Sequence, residues 1–146
     1  MKVRASLKFQ ALPVILAVVL FTLACDKEYQ AQLSVVVPAT GTANADSLAT
    51  DLVSHLSKRF PLKCEEHEEW AGSQGSLEIA EMHRDCTDTS SYTYIEVIAS
   101  GNELSVKINK IGGAREPEGF REIRSAAESY LKQAVPGASV VTAAEP

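Results

Sequence analysis

The chain has 146 residues, of which 14 are lysine or arginine and 19 are aspartate or glutamate, so its formal net charge is −5 at pH 7. This length suits a single domain with one hydrophobic core. An acidic chain does not favour nucleic acid and is repelled by anionic lipid headgroups, so the composition argues against both as directly bound ligands.

The N-terminus combines a basic head with a short apolar run. Three basic residues occur within the first eight positions, and no acidic residue precedes Asp26. The apolar run covers residues 9–24, which is 16 residues, and it contains Gln10 and Pro13. A basic head followed by a short apolar stretch is typical of a secretory signal peptide. A transmembrane anchor, the alternative, needs about 20 apolar residues.

The residues "TLAC" at positions 22–25 resemble the lipobox of bacterial lipoproteins. The resemblance implies that residues 1–24 are removed as a signal peptide and that Cys25 becomes the first residue, acylated on its sulfur and on its new N-terminus. Two or more acyl chains hold a protein stably on a membrane. Thr22 departs from the pattern, because leucine is common at that position. An ordinary signal peptide with an incidental cysteine is the alternative interpretation.

Asp26 directly follows this cysteine. In enteric bacteria an aspartate there resembles the signal that retains lipoproteins in the inner membrane, so the resemblance implies an inner-membrane lipoprotein that faces the periplasm. Residues 25–31 are then the lipidated cysteine and a short tether, and residues 32–146 are a single periplasmic domain. Removal of the three basic residues of the signal peptide changes the formal charge from −5 to −8. Lipid, rather than surface charge, would therefore hold the domain at the membrane.

The first half of the domain predicts one strand and one helix. Residues 32–39 favour a β-strand that Pro38 ends. Asp46 is the expected N-cap of a helix over residues 47–60, in which an apolar residue recurs every four positions. Residues 63–76 are acidic and lack a periodic apolar pattern, so we expect an irregular segment there.

The second half predicts three strands, a helix and a last short strand. The three strands cover residues 76–85, 91–99 and 103–111, and the last two should form a hairpin. The helix covers residues 117–135, and the final strand covers residues 138–143. The order β-α-β-β-β-α, with a last β, predicts an α+β fold in which two helices pack on one face of a mainly antiparallel sheet. A ferredoxin-like arrangement is the nearest familiar shape.

Two cysteines remain once the first mature residue carries lipid. Because the periplasm is oxidising and the count is even, the sequence predicts a disulfide between Cys64 and Cys86. Closing a loop of about 22 residues would stabilise the fold by roughly 3 kcal/mol. The alternative is a zinc site formed by two mirrored pairs: Cys64, His67, His83 and Cys86. Copper would add Met82, and two free thiols or thiols paired with a partner complete the alternatives.

The sequence contains none of the common short motifs for nucleophilic, metalloprotease or phosphate-binding chemistry. It therefore predicts a non-catalytic envelope lipoprotein that binds a protein partner or supports envelope assembly, with no cofactor and no nucleic-acid ligand. An inhibitor or immunity protein is one version of this function. The alternative is a periplasmic lipoprotein that binds zinc or copper through the cysteine and histidine residues named above.

Alternation along the strands predicts which side chains face the helices. The residues expected to face the helices are Leu77, Ile79, Ile95, Val97, Leu104, Val106 and Ile108. The opposite face would then carry Met82, Tyr92, Tyr94, Glu96, Ile98 and Lys107. Because tyrosine and methionine are enriched at interfaces, the predicted partner surface comprises Met82, Tyr92, Tyr94 and Ile98. A register shift of one residue would exchange the two faces.

Overall fold

The computed structural model describes residues 26–38, 44–73, 76–136 and 141–145. These residues form six strands and two helices: β1 (Lys27–Val36), α1 (Ala45–Ser57), β2 (Leu62–Ser73), β3 (Ser76–Asp88), β4 (Thr93–Ser100), β5 (Glu103–Gly112), α2 (Glu118–Ala134) and β6 (Val141–Glu145). Every strand pair is antiparallel, and the order across the sheet is β2-β3-β4-β5-β1-β6. The predicted α+β class is confirmed, whereas the predicted signal peptide and Cys25 lie outside the described residues. Within those residues, neither helix is long and apolar enough to cross a membrane.

Both helices lie on one face of the sheet. α1 contacts β4 and β5, α2 contacts β1 and β5, and the two helices contact each other. The side chains that the central strands bury under the helices are Ala31, Leu33, Val35, Ile95, Val97, Leu104, Val106 and Ile108. The strand order β4-β5-β1-β6, with α1 after β1 and α2 after β5, matches the predicted ferredoxin-like arrangement. β2 and β3 extend that sheet at one edge.

The start of α1 differs from the prediction. Asn44, not Asp46, is the N-cap, because its Oδ1 accepts a hydrogen bond from the Ser47 backbone N–H at 2.6 Å. The Asn44 N–H in turn donates to Ser47 Oγ at 3.1 Å, which completes a capping box. Asp46 instead accepts a hydrogen bond from Arg84 of β3 at 2.8 Å. The predicted apolar repeat is buried at Leu48, Leu52 and Leu56.

The acidic segment predicted to be irregular is the edge strand β2. It pairs with β3 along its whole length, with one bulge between Glu69 and Trp70. Residues 63–72 are all exposed, so this strand has no buried face and its sequence lacks the alternation on which strand prediction relies. The described sheet therefore has four strands between the two helices, one more than predicted. At the N-terminal end of the described residues, β1 begins at Lys27. Residues 27–31 therefore belong to the sheet and not to a tether.

The predicted core is confirmed in β4 and β5 and is partly wrong in β3. Ile79 is 48% exposed, and the side chain of Leu77 lies outside the part of the chain that is described. The β3 residues that face the helices are Arg84 and Cys86, which pair with buried residues of β4. The β-bulge interrupts the regular alternation in the first half of β3, between Ile79 and Glu81. Ile79 lies near the start of the strand, whereas the helices pack mainly on β1, β4 and β5.

Candidate functional site

The segment with mirrored cysteine and histidine residues forms the hairpin of β2 and β3. Cys64 lies opposite Cys86, and His67 lies opposite His83. Residues three positions apart in a strand point to opposite faces, so the hairpin separates the cysteines from the histidines. The cysteines lie on the face that the helices cover, because Cys86 is buried and pairs with buried Ile95. The histidines lie on the other face, which we call the open face.

The two cysteines form the predicted disulfide, with their Cα atoms 4.1 Å apart. The predicted disulfide is thus confirmed, and it links β2 covalently to β3. The alternative of a four-ligand zinc site is wrong, because the two sulfurs are bonded to each other and the two histidines lie on the opposite face. The copper alternative is wrong for the same reason. Met82 pairs with buried Ala99 and packs against the core, so it lies on the cysteine side.

His83 is the centre of a cluster on the open face. Its side chain is buried, and its ring stacks on the ring of His67, with centroids 4.8 Å apart and planes inclined by 19°. Nε2 of His83 lies 3.0 Å from Glu81 Oε2 and 3.9 Å from Glu69 Oε1. Nδ1 lies 3.5 Å from Glu96 Oε1 and has no hydrogen-bond partner within the described residues. Carboxylates therefore approach both nitrogens of one buried imidazole.

Further side chains hold the carboxylates beside the two histidines. Glu96 Oε2 forms an ion pair with Lys107 Nζ at 2.9 Å, which holds the Glu96 carboxylate beside His83. On the neighbouring ring, His67 Nδ1 lies 3.5 Å from Asp85 Oδ2. The Tyr94 hydroxyl donates a hydrogen bond to Asp85 Oδ1 at 2.7 Å. Each histidine thus has one carboxylate beside Nδ1, and each of these carboxylates is held by a further side chain.

The charge of this cluster is strongly negative. Four carboxylates lie near the two imidazoles: Glu69, Glu81, Asp85 and Glu96.

Burial raises the pKa of Tyr94 to about 12, and the hydrogen bond to Asp85 and the charges of Asp85 and Glu96 act in the same direction. The phenol therefore stays protonated and remains a hydrogen-bond donor to Asp85 across the neutral range.

Three side chains of the cluster could hold a metal ion. One ligand atom from each of His67, Glu69 and His83 lies within 4.8 Å of the other two. The His67 and Glu69 side chains are 49% and 62% exposed, whereas that of His83 is 8% exposed. The site thus combines one fixed, buried nitrogen with two ligands that solvent reaches. Imidazole and carboxylate together suit zinc, copper and similar divalent ions.

The far end of the hairpin carries exposed apolar side chains. Trp70 of β2 pairs with Ile79 of β3, and their exposed fractions are 55% and 48%. Trp70 lines a shallow groove together with Met82 and three acidic or histidine side chains: Glu66, His67 and Glu68. A large apolar pair surrounded by carboxylates is thus accessible on the edge hairpin.

The structure brings together only part of the predicted partner surface. Tyr94 and Ile98 lie on the open face, because the residues between and beside them, including Val97, face the helices. Met82 does not belong to that face. Tyr92 lies in the turn before β4, where its φ of 55° and 76% exposure place it outside the strand. The predicted surface is therefore two strand residues and one turn residue rather than one continuous patch.

Arg84 fastens the hairpin to α1 on the cysteine side. Its guanidinium is buried, with Nη2 at 2.8 Å from Asp46 and 3.0 Å from Thr50 of α1. Its Nε lies 2.8 Å from Glu66 of β2. Arg84, Thr50 and Glu66 line one side of a cavity of about 200 Å³ that lies between α1 and the disulfide. One buried side chain therefore links three elements through charge-assisted hydrogen bonds.

Sequence reasoning missed the carboxylates at the site, although a signal for them was present. In an antiparallel pair, the residue numbers of opposite partners have a constant sum. The pairs Cys64/Cys86 and His67/His83 satisfy that condition, so the mirrored pattern is the register of a hairpin. Once β2 is recognised as a strand, the same register places Glu69 opposite Glu81, next to the histidines.

Comparison with known proteins gave no match: no protein-family model, no curated protein and no solved structure is significantly similar to this chain.

Proposed function

We propose that this chain is a non-catalytic lipoprotein of the bacterial envelope whose β2–β3 hairpin binds a protein partner in the periplasm. The observation that carries the proposal is the exposed Trp70–Ile79 pair on an edge hairpin rich in glutamate. Tryptophan is enriched among the residues that contribute most to interfaces, because its ring gives a large contact area. The surrounding carboxylates favour a partner with lysine or arginine around an apolar centre.

The outer edge of β2 adds a second mode of contact. This strand is the last one on its side of the described sheet, so its outer backbone groups are available to a further strand. The sequence "EEHEE" at residues 65–69 places like charges along that edge, which opposes pairing between two copies of the chain. The same charges attract a basic segment. The partner we propose therefore carries a basic extended segment.

The position of β1 supports an orientation relative to the membrane. Cys25, the proposed lipid site, precedes the first strand residue Lys27 by two positions, which span at most about 7 Å. β1 and β2 run in the same direction, so the hairpin end with Trp70 lies at the opposite end of the sheet from the anchor. Exposed Tyr92 lies at the end near the anchor. The lipid would thus present the Trp70 end to the periplasm.

Two observations support export and lipidation. The "TLAC" sequence at residues 22–25 resembles a lipobox, and a disulfide suits an oxidising compartment. Expression of the full gene with Cys25→Ala, followed by membrane fractionation and mass spectrometry, tests this part. We expect the natural chain to be cut before Cys25 and to carry acyl chains, and the variant to lose both features. Membrane attachment of the variant at the natural level would contradict the lipoprotein assignment.

Site-specific photo-crosslinking in the bacterial envelope tests the partner. A photoreactive residue at position 70 or 79 should give one discrete adduct, whereas the same residue at exposed Ser125 of α2 should give none. The captured protein is then identified, purified and titrated against the natural chain and Trp70→Ser. We expect at least about tenfold weaker binding for the variant, since a central aromatic contact contributes about 2 kcal/mol or more. Equal binding of both chains would sink the proposal.

A further inference from the structure

We propose that His67, Glu69 and His83 bind a divalent transition-metal ion of the zinc and copper class on the open face of the sheet. This site does not involve the lipid anchor or Trp70 itself, although His67 also lines the groove beside Trp70. It also differs from the zinc or copper site that the sequence analysis gave as the alternative, because it uses no sulfur. The proposal stands on the arrangement of four side chains, on the burial of His83 and on the contacts behind both histidines.

The hairpin places four candidate ligands in two adjacent cross-strand pairs. His67 faces His83, and Glu69 faces Glu81, all on the open face. One ligand atom from each of His67, Glu69 and His83 lies within 4.8 Å of the other two. Bonds of about 2.0–2.2 Å to nitrogen and oxygen require shorter separations than this. His67 and Glu69 are the exposed members, so rotation of their side chains can close the site around an ion.

The burial of His83 points to a ligand at this site. The His83 side chain is 8% exposed, and a buried polar ring is costly unless both of its nitrogens are compensated. Nε2 lies 3.0 Å from Glu81 Oε2, whereas Nδ1 has no hydrogen-bond partner within the described residues. Four carboxylates around two imidazoles also repel one another. A divalent cation at Nε2 of His83 would reduce that repulsion and give the buried ring a strong bond. Lys107 reaches Glu96 only, on the Nδ1 side of the ring.

A carboxylate lies on the Nδ1 side of each histidine, which is where many metal-binding histidines have one. A histidine that binds a metal through one nitrogen usually donates its other N–H to a carboxylate, which fixes the ring orientation. Glu96 lies beside Nδ1 of His83, and Asp85 lies beside Nδ1 of His67, each at 3.5 Å. Lys107 and Tyr94 hold these two carboxylates in turn. Nε2 of His83 faces Glu81 and Glu69, so an ion bound there would replace the contact between Nε2 and Glu81.

The donor set selects the class of metal. Calcium and magnesium prefer oxygen ligands alone, whereas imidazole with carboxylate suits zinc, copper and nickel. Three protein ligands leave one tetrahedral position, which water or Glu81 can take. The exposed side of the site allows entry from solvent. We therefore choose Zn²⁺ as the probe and Mg²⁺ as the negative control.

Calorimetric titration of the oxidised full-length chain with Zn²⁺ tests the proposal. Cys25 is replaced by Ser in every sample, so that its thiol cannot compete for the ion. We expect one equivalent of Zn²⁺ to bind and Mg²⁺ not to bind. His67→Gln and Glu69→Gln should each raise the Kd at least about tenfold, and Glu96→Gln should raise it by about ten- to a hundredfold. Thermal melting of each variant without metal verifies that the fold is retained.

Two matched controls separate a defined site from diffuse negative charge. Glu68→Gln removes the same charge one position from Glu69, but on the other face of β2, and should leave the Kd unchanged. His55→Gln removes a histidine of α1 that stacks on Tyr130, far from the hairpin face, and should also have no effect. If Glu68→Gln and Glu69→Gln weaken binding equally, or if His67→Gln binds Zn²⁺ like the natural chain, the site does not exist.

Nitrogen chemical shifts of the histidine rings give a second readout, which tests His83 without a substitution of this buried residue. Zn²⁺ should shift one ring nitrogen of His67 and of His83 at one equivalent, while His55 stays unchanged. A shift confined to His67 would show a loosely chelated surface ion and would overturn the assignment of His83.

Discussion

The central strands β4, β5 and β1 and the outer hairpin of β2 and β3 belong to one sheet, but different interactions hold them. The central strands bury one face under both helices, with Leu33, Val97 and Val106 fully enclosed side by side. β2 buries no side chain between residues 63 and 72. The hairpin joins the rest of the fold through the pairing of β3 with β4 and through the contacts of Arg84 with α1. Within the hairpin, the disulfide and the ion pair of Arg84 with Glu66 hold β2 to β3.

The difference shows where this fold can carry function. Side chains of the central strands are committed to packing, and any change there alters stability first. The hairpin is stabilised by a covalent bond and by one buried guanidinium, so most of its side chains are not needed for the core. Those side chains include His67, Glu69 and Trp70. Stability that is unevenly distributed in this way is usual at binding elements.

The largest expected effect is in the central strands. Leu33→Ala removes a fully buried side chain of β1 and should lower the free energy of unfolding by about 2–5 kcal/mol, through lost burial and a residual cavity. Val36→Ala, three positions later on the same strand but 60% exposed, should change it by less than about 0.5 kcal/mol. Urea unfolding measures both. Similar losses for the two variants would mean that the helices do not define the core.

The second effect concerns the disulfide of the hairpin. Reduction of the Cys64–Cys86 bond, whose sequence separation is 22, gives the unfolded chain more conformational freedom. It should therefore lower the free energy of unfolding by about 2–4 kcal/mol. Hydrogen exchange should rise first at the amides of β2, whereas the amides of β1 should remain protected. The Cys25→Ser chain, treated with the same reductant, isolates the effect of this bond. Uniform loss of protection across the sheet would contradict the proposed division into two regions.

The same division explains which features the sequence could predict. Burial leaves a periodic pattern, so the leucines of α1 and the strands β4 and β5 were predicted with their core residues. β2 has no buried face, and only its register with β3, visible in the mirrored cysteines and histidines, reveals it. The bulge at Glu69 and Trp70 breaks the alternation in β3. For that reason the sequence places Met82 on the wrong face, while Ile79 is exposed because the helices do not reach the start of β3. The disulfide follows from the even cysteine count and the expected oxidising compartment.

A smaller effect is expected at the ionic attachment of the hairpin. Arg84→Met keeps an unbranched apolar side chain in place but removes the contacts to Asp46, Thr50 and Glu66. Both carboxylates are more than half exposed and regain water, so we expect a loss of about 1–2 kcal/mol rather than the larger cost of a stranded buried charge. Glu66→Gln should cost less than about 1 kcal/mol. Urea unfolding that ranks Glu66→Gln above Arg84→Met would show that Arg84 does not fasten the hairpin.

The smallest effect is a titration on the open face. The pKa of Tyr94 is raised from 10.0 to about 12 by burial, by the hydrogen bond to Asp85 and by the charges of Asp85 and Glu96. The folded state therefore holds this proton more tightly than the unfolded state. Its contribution to stability is complete below pH 10 and is lost as the pH rises from about 10 towards about 12.

Phenolate absorbance measures this titration, and the difference between the natural chain and Tyr94→Phe isolates the curve of one residue. We expect a midpoint near 12, and we expect Asp85→Asn to move it towards 10, because that variant removes a charge and weakens the hydrogen bond. Glu66→Gln removes the same charge from the cysteine side of the hairpin and should leave the midpoint in place. A midpoint near 10 in the natural chain would mean that Tyr94 does not hold Asp85. In that case Asp85 would not be fixed beside His67, and the side chains on the open face of the hairpin would lack the support that distinguishes them from an ordinary solvated surface.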